Sequence, residues 1–286
     1  SNIWLLKFHP NQYRIMSISN KRLTKITTTY YLHDQDGKPV ELSRSEGEKD
    51  LGVMVDDKVN FDKHIQQQVN KANSIMGLIR RTYTFLDETS FRYLFQALVR
   101  PHLEYAEAVW SPFTKKDIDT IEKVQKRATK LIPSLKNMDY PNRLKKLKMP
   151  TLQYRRLRGD MIEVYKIING IYDHKVVTGF FELSDVEQTR GHNKKLRKLS
   201  CKINKRKNYF SNRVIDVWNN LPQEAVSAKS VKDFEIAIDK HWENQEMKYN
   251  HNANIELKTG RKRSYTTIQR DDDKIEADKV VNDQHP

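Results

Sequence analysis

The chain has 286 residues, of which 37% are hydrophobic and 31% charged, fewer apolar and more charged residues than an average globular domain. Its 52 Lys and Arg against 37 Asp and Glu give a formal net charge of +15, which favours a polyanionic partner such as RNA or DNA. No apolar run approaches the roughly 20 residues that span a bilayer and no secretory signal is visible, so no membrane partner is expected; the single thiol, Cys201, excludes an internal disulfide and points to a reducing compartment, the nucleus and/or the cytoplasm.

Residues 1–60 carry strand signals. Ile3 to Phe8 is already apolar, and Arg14-Ile15-Met16-Ser17-Ile18 alternates with the period of a half-buried strand. Thr27 to Leu32 is rich in Thr and Tyr, Asp36-Gly37 is a turn signal, and Val40-Glu41-Leu42 follows, which together predict a β-hairpin. Leu51 to Val55 predicts another short strand.

From Asp62, a candidate N-cap, the period becomes helical, with Ile65, Val69, Ala72, Met76 and Ile79 on one face. Phe91, Leu94, Phe95 and Leu98 predict a second helix that Pro101 ends or kinks. A third begins near Lys116, with Ile118, Ile121, Val124, Ala128 and Leu131 inward and Pro133 as its stop. A fourth runs from Leu152 to Ile171 with Leu157, Met161, Val164, Tyr165 and Ile168 inward. Tyr209 to Trp218 predicts a further helix, and Ser230 caps a last one holding Phe234, Ile238 and Trp242. Trp110, Trp218 and Trp242 are core candidates. After about Glu243 apolar residues thin out, and 244–286 is expected to be a disordered tail.

Four groups of cations are candidate nucleic-acid contacts. Lys123, Lys126, Arg127 and Lys130 lie at three- and four-residue steps opposite Ile121, Val124 and Leu131, so one helix offers a core face and a cationic face. Such a face follows a phosphate backbone through counterion release, although it is also the ordinary look of a solvated helix. Arg80-Arg81 and the cluster Arg155, Arg156 and Arg158 form the next two groups; Gly159 beside Arg158 permits a close backbone approach, and internal salt bridges to Asp160 and Glu163 are the alternative. Finally, Lys205-Arg206-Lys207 closes a basic run from Val186 to Arg213 that contains Glu187 and no Asp. With Tyr209 and Phe210 nearby the run suits single-stranded nucleic acid; a flexible basic loop or a nuclear import signal is equally readable there.

Signs of chemistry are lacking. Asp56-Asp57 superficially resembles a two-metal carboxylate pair, but Met54 stands where an aromatic residue is needed, and the pair is expected to be a solvated turn. The nine His residues show no metal-ligand spacing with Cys or carboxylates. No phosphate-cradling glycine loop or nucleophile elbow is present.

Several segments together resemble the C-terminal third of reverse transcriptases from non-LTR retrotransposons of the jockey and chicken-repeat type. They are Trp4-x-x-x-Phe8-x-x-Asn11, Glu48-Lys49-Asp50-Leu51-Gly52-Val53, Lys71-Ala72-Asn73-x-x-x-Gly77-x-Ile79-Arg80-Arg81, and Leu98-Val99-Arg100-Pro101-His102-Leu103-Glu104-Tyr105 followed by Val109-Trp110-Ser111-Pro112. Then come the stretch Ile121 to Lys130, Arg155-Arg156-Leu157-Arg158-Gly159-Asp160, Arg190-Gly191-His192, and Phe210-Ser211-x-Arg213-Val214-x-x-x-Trp218-Asn219-x-Leu221-Pro222. Their order covers about residues 4–242.

The elements in chain order give an α+β, mainly α fold: a small N-terminal antiparallel hairpin sheet, a helical bundle and a loose tail. The resemblance implies residual palm strands and a primer-grip-like hairpin (1–60), a helical thumb-like domain (61–175) and a basic C-terminal region with two helices (176–243); the tail (244–286) lies outside it. It implies that the aromatic-x-Asp-Asp strand would lie ahead of Ser1, so that this chain carries no catalytic residue and no cofactor, Mg²⁺ belonging to the missing palm. A Cys of the family a few residues after the Phe8 position is absent, Tyr13 standing near its place. The expected function is to grip the backbone of an RNA and/or DNA primer–template duplex, with the missing palm portion as a possible protein partner. A protein-interaction module with basic helices and a decayed retroelement remnant are the alternatives.

Overall fold

The computed structural model describes residues 13–18, 28–34, 36–184, 191–201 and 204–257; the apolar stretch at 3–8, the basic residues Arg190 and Lys202, and the expected tail beyond 257 lie outside these ranges. The chain is mainly α, with small sheets at its N-terminal end, and divides into two compact units, Ser1–Gln68 and Val69–Pro286.

Among its described residues the first unit holds three two-stranded sheets. β1 (Arg14–Ile15) pairs in parallel with β4 (Ser43–Arg44). The hairpin expected around Asp36-Gly37 forms from β2 (Tyr31–His33) and β3 (Pro39–Glu41), with Leu32 opposite Val40. Gly37 takes a φ of 77°, and the Asp34 carboxylate accepts from the N–H groups of Asp36 and Lys38 at 2.9 Å each.

The strand expected over Leu51 to Val55 is instead a turn followed by a strand. β5 (Gly47–Asp50) and β6 (Val53–Asp56) form a second hairpin joined by Leu51 and Gly52, whose φ values of 43° and 88° are those of a turn that needs positive φ at both central residues. The strand therefore starts at Val53. Asp56, at its end, accepts from Lys58 N (3.1 Å) and Asn60 N (2.6 Å), the turn-forming role expected of the Asp56-Asp57 pair. Among the described residues no three His, Cys, Asp or Glu side chains gather as a metal site.

In α1 (Asp62–Thr82) the expected cap residue Asp62 is instead the first helical residue, Phe61 O accepting from Ile65 N; the helix continues into the second unit, where Ala72, Met76 and Ile79 are buried. α2 (Glu88–Leu94) is capped by Asp87, which accepts from Thr89 N and Ser90 N. Pro101 does not end this run. A π turn at Phe95–Val99, closed by Arg100 N–H donating to Phe95 O, leads directly into α3 (Arg100–Glu104). Pro101 sits in the first turn of α3, where no backbone donor is needed. The buried residues are Phe91, Phe95, Val99 and Leu103. Four-residue steps in an α-helix drift by about 40° each, and the wider π turn takes that drift back. Leu98, expected inward, is consequently exposed while Val99 is buried.

Beyond α4 (Glu107–Trp110), Thr114 caps α5 (Lys115–Ala128) by accepting from Asp117 N. α6 (Tyr140–Leu147), which no periodicity announced, is capped by Asp139. α7 (Leu152–Ile168) ends three residues earlier than expected, because Gly170 takes the left-handed conformation (φ 68°) that terminates helices. α8 (His174–Val177), α9 (Asn204–Lys207), α10 (Phe210–Arg213), α11 (Ile215–Trp218) and α12 (Gln223–Val226) are single turns, so the helix expected over 209–218 is broken at Val214. α13 (Val231–His241) is capped by Ser230 as expected.

α7 is the hub of the second unit, touching α4, α5, α11 and α13. One core joins Tyr154, Met161, Val164 and Tyr165 of α7 to Trp218, Phe234, Ile238 and Trp242, each contributing roughly 1.5–3 kcal/mol by burial. The boundary expected at residue 175 falls inside this core. So does the start of the expected tail. Met247 and Ile255 are buried, and the Thr151 hydroxyl donates to Met247 O at 2.8 Å while Thr151 N donates to Lys248 O at 2.9 Å. Residues 244–257 are thus part of the packed unit, corrected from the expected disorder; their few apolar side chains suffice because they cover the N-terminus of α7.

Candidate nucleic-acid interface

α5 is two-sided. Ile121, Val124 and Ala128 are buried, whereas Lys123, Lys126 and Arg127 of α5 and Lys130 of the 3-10 turn that follows it (Thr129–Leu131) are all exposed; the helix expected to run up to Pro133 thus ends at Ala128. Among the described residues none of the four forms an ion pair. The end of the helix is held by buried Arg143, whose guanidinium donates to Thr129 Oγ1 (2.9 Å), Lys126 O (3.1 Å) and Met138 O (2.7 Å). A cation at this end of a helix also complements its dipole. Behind α5, the Tyr140 hydroxyl donates to Glu122 Oε1 at 2.5 Å and Leu152 N donates to Glu122 Oε2 at 3.0 Å. Burial holds the Glu122 carboxyl above its ordinary range. Arg80 and Arg81, in the last turn of α1, are exposed as well.

The arginines of α7 belong elsewhere. Arg155 makes a two-point contact with Glu104, through Nε to Oε1 and Nη2 to Oε2, the latter at 3.0 Å. Arg158 does the same with Asp239, at 2.6 and 2.9 Å. Arg156 is only 4% exposed. All three are removed from the candidate interface, because their charges are spent or enclosed inside the unit. The internal partners are not the neighbouring Asp160 and Glu163 but carboxylates on other helices. Asp160 is taken by Arg213, through Nε (3.2 Å) and Nη2 (2.8 Å).

Gly159 does meet a close partner, the Glu107 side chain of α4. A Cβ at Gly159 would lie 2.5 Å from Glu107 Oε1. Alanine is worth up to about 1 kcal/mol over glycine in a helix. Gly159→Ala is expected to deliver that gain in a Glu107→Ala background and to lose it, or reverse sign, when Glu107 is present. Equal effects in both backgrounds, measured by urea unfolding, would show that the carboxyl does not occupy this space.

Burial, opposed by the nearby Arg156, pushes the Glu107 carboxyl up to about 8. A folded pKa above the unfolded value of 4.5 means the folded state holds the extra proton, so this stability is fully present below about pH 4.5 and is lost as pH rises to about 8. Glu107→Gln, which mimics the protonated form, is expected to flatten part of the fall in melting temperature across that window and to raise it at pH 8.5. Parallel wild-type and variant curves would refute the assignment.

The basic run is also less free than its sequence suggests. Arg197 pairs with Glu182 at 3.4 Å, Lys198 with Asp216, and Lys194 Nζ donates to Asn169 Oδ1. Lys205 is partly buried, whereas Arg206 and Lys207 are exposed, Arg206 lying 5.5 Å over the Tyr209 ring. Phe210 packs against the core rather than standing free to stack a base, with its ring 5.9 Å from that of Phe181. Many residues that carry the family resemblance prove to hold the fold. His192 Nε2 lies 2.9 Å from Trp218 O, Trp218 Nε1 donates to Lys194 O, and the Asn219 amide both accepts from and donates to the Leu196 backbone.

Residues that the sequence did not flag line a cavity of about 180 Å³ in this unit: Gln153, Phe113 and Asn254 meet there with Arg156, Asp160 and Arg213.

The chain is similar to an uncharacterized protein of Caenorhabditis elegans, with 28% identity over 126 residues, which is 43% of this chain and 64% of that protein. The chain thus spans less than two thirds of the length of that relative. No protein-family model and no solved structure matches the chain.

Proposed function

We propose that this chain is the nucleic-acid-gripping part of a retrotransposon RNA-directed DNA polymerase, holding the backbone of a primer–template duplex of RNA and/or DNA, with no catalytic residue or cofactor of its own. The observation that carries this reading is the exposed stripe Lys123, Lys126, Arg127 and Lys130, free of ion pairs among the described residues, on α5 and the 3-10 turn that follows it, with Ile121, Val124, Ala128 and Thr129 buried on the other side. The segment resemblance set out above supports it. The seven steps from Lys123 to Lys130, at about 1.5 Å each, give a stripe about 10 Å long, the axial length of about three nucleotides of one strand. Such contacts set register and orientation and do not read sequence. Arg80, Arg81, Arg206 and Lys207 are the further exposed candidates.

The test is fluorescence anisotropy with a labelled RNA–DNA hybrid and with duplex DNA, from about 50 to 200 mM salt. Log affinity is expected to fall linearly with log salt, with a slope of magnitude at least about 3. Binding that is absent, or indifferent to salt, would remove the proposal.

A further inference from the structure

The loop between α1 and α2 and the 3-10 turn Pro133–Leu135 wall an open groove of about 520 Å³, with Phe85 and Leu86 on one side and Pro133 and Ser134 on the other. Both walls set an exposed apolar residue beside buried anchors. Phe85 is 74% exposed next to Leu86 at 5%, and Pro133 is exposed between Ile132 and Leu135, at 1% and 0%. Asp87 holds the far side of the loop by accepting from Thr89 N and Ser90 N at 2.7 Å each. The neighbours of Phe85 are thus fixed while its ring faces water.

A single exposed ring is ordinary on a protein surface. What sets Phe85 apart is where the groove lies. Phe85 is four residues past Arg81, and Pro133 is three past Lys130, so the Cα separations cannot exceed about 14 and 11 Å. Two groups of exposed cations, far apart in sequence, therefore end at one groove. The charges of the groove itself are carboxylates. Asp87 is engaged as the cap of α2, and Glu88 pairs with Lys146 at 3.0 Å. These acids disfavour a phosphate inside the groove but not an uncharged ring. A strand of nucleic acid meets both demands, with its phosphates on the flanking cations and a base on the apolar wall.

We propose that this groove takes an unpaired base, stacked on Phe85, where a strand leaves the duplex beyond the Lys123–Lys130 stripe. The proposal rests on the reading of that stripe as a backbone contact, and it adds where the paired region ends. Because every base has a π face, the groove accepts bases without reading sequence.

Fluorescence anisotropy on the full chain at about 50 mM salt tests it with three probes: a blunt duplex, the same duplex extended at either strand end by unpaired adenines, and the same extension made of abasic residues. The abasic probe keeps the added phosphates and removes only the rings. The adenine extension is expected to bind at least about fivefold tighter than the abasic one, the effect of stacking one base on an aromatic side chain. Phe85→Ala is expected to remove that advantage and to leave the blunt duplex unaffected, whereas Phe85→Trp retains it. The exposed position of Phe85 keeps these variants folded. Equal binding of the adenine and abasic extensions, or an advantage that survives Phe85→Ala, overturns the groove assignment and leaves the stripe standing. Binding that requires the adenine extension and Phe85 keeps the groove and removes the duplex grip. Binding of none of the probes removes both.

Discussion

Replacing Arg213 with Met is expected to destabilise the second unit by about 3–5 kcal/mol, the usual consequence of stranding one member of a buried ion pair. Arg213 and Asp160 have side chains only 16% and 5% exposed and lie 2.8 Å apart at their closest. The same guanidinium donates to Asn208 O (3.3 Å) and Ala108 O (3.2 Å), so it ties α10 to α7 and α4. Its loss leaves the Asp160 carboxylate and two carbonyls without these donors. For a unit of this size the change in melting temperature is roughly 6–20 °C. Two further outcomes identify the cause. Burial already raises the Asp160 carboxyl above its ordinary range, and Arg213 is the strongest influence lowering it. Without Arg213 the folded pKa moves further above the unfolded value, so the deficit of the variant is expected to shrink in acid, where Asp160 is protonated in both states, and to grow as pH rises. Secondly, Arg213→Met combined with Asp160→Leu is expected to recover most of the loss, because an apolar pair of similar volume carries no stranded charge. A loss below about 1 kcal/mol in the single variant would refute the importance of the pair.

Reversing Lys123, Lys126, Arg127 and Lys130 together to Glu is expected to weaken binding to a primer–template duplex at least several-fold at low salt and to reduce the salt slope by about 3, a little under one for each phosphate that the stripe neutralises. All four side chains are exposed, so the fold is expected to survive, at a cost of up to about 1 kcal/mol from charges placed against the helix dipole. The informative control reverses Lys175, Lys229, Lys232 and Lys240, which are also exposed and change the net charge equally. If the local stripe grips the backbone, the control retains most of the affinity and slope. An equal loss in both would show that only overall charge matters, and unchanged binding in the α5 variant would sink the interface.

The periodicity of apolar residues located most of the long helices, and turn chemistry located the Asp36-Gly37 hairpin and the Ser230 cap. It misjudged places where local signals compete. Leu51-Gly52 continues an apolar run that reads as a strand, although both residues take the positive φ of a turn and the glycine is its signal. Leu98 followed the α-helical phase that a π turn resets to Val99. The tail after Glu243 was sparse in apolar residues, yet Met247 and Ile255 were enough to anchor it because the surface they cover already existed.

What the sequence determined by itself was the fold class, the burial of Trp110, Trp218 and Trp242, and the two-sided character of α5, for these rest on local signals: the order of strand and helix periods, the apolar bulk of the indoles, and spacing within one helix. Only the tertiary structure decided which cations remain available. Arg155, Arg158 and Arg213 meet carboxylates 51, 81 and 53 residues away in sequence, and no local pattern reports such a distance. A helix buried on one side advertises itself by an apolar stripe. α7 is covered on two, and its second buried face is built of charges that are matched only after the chain has folded.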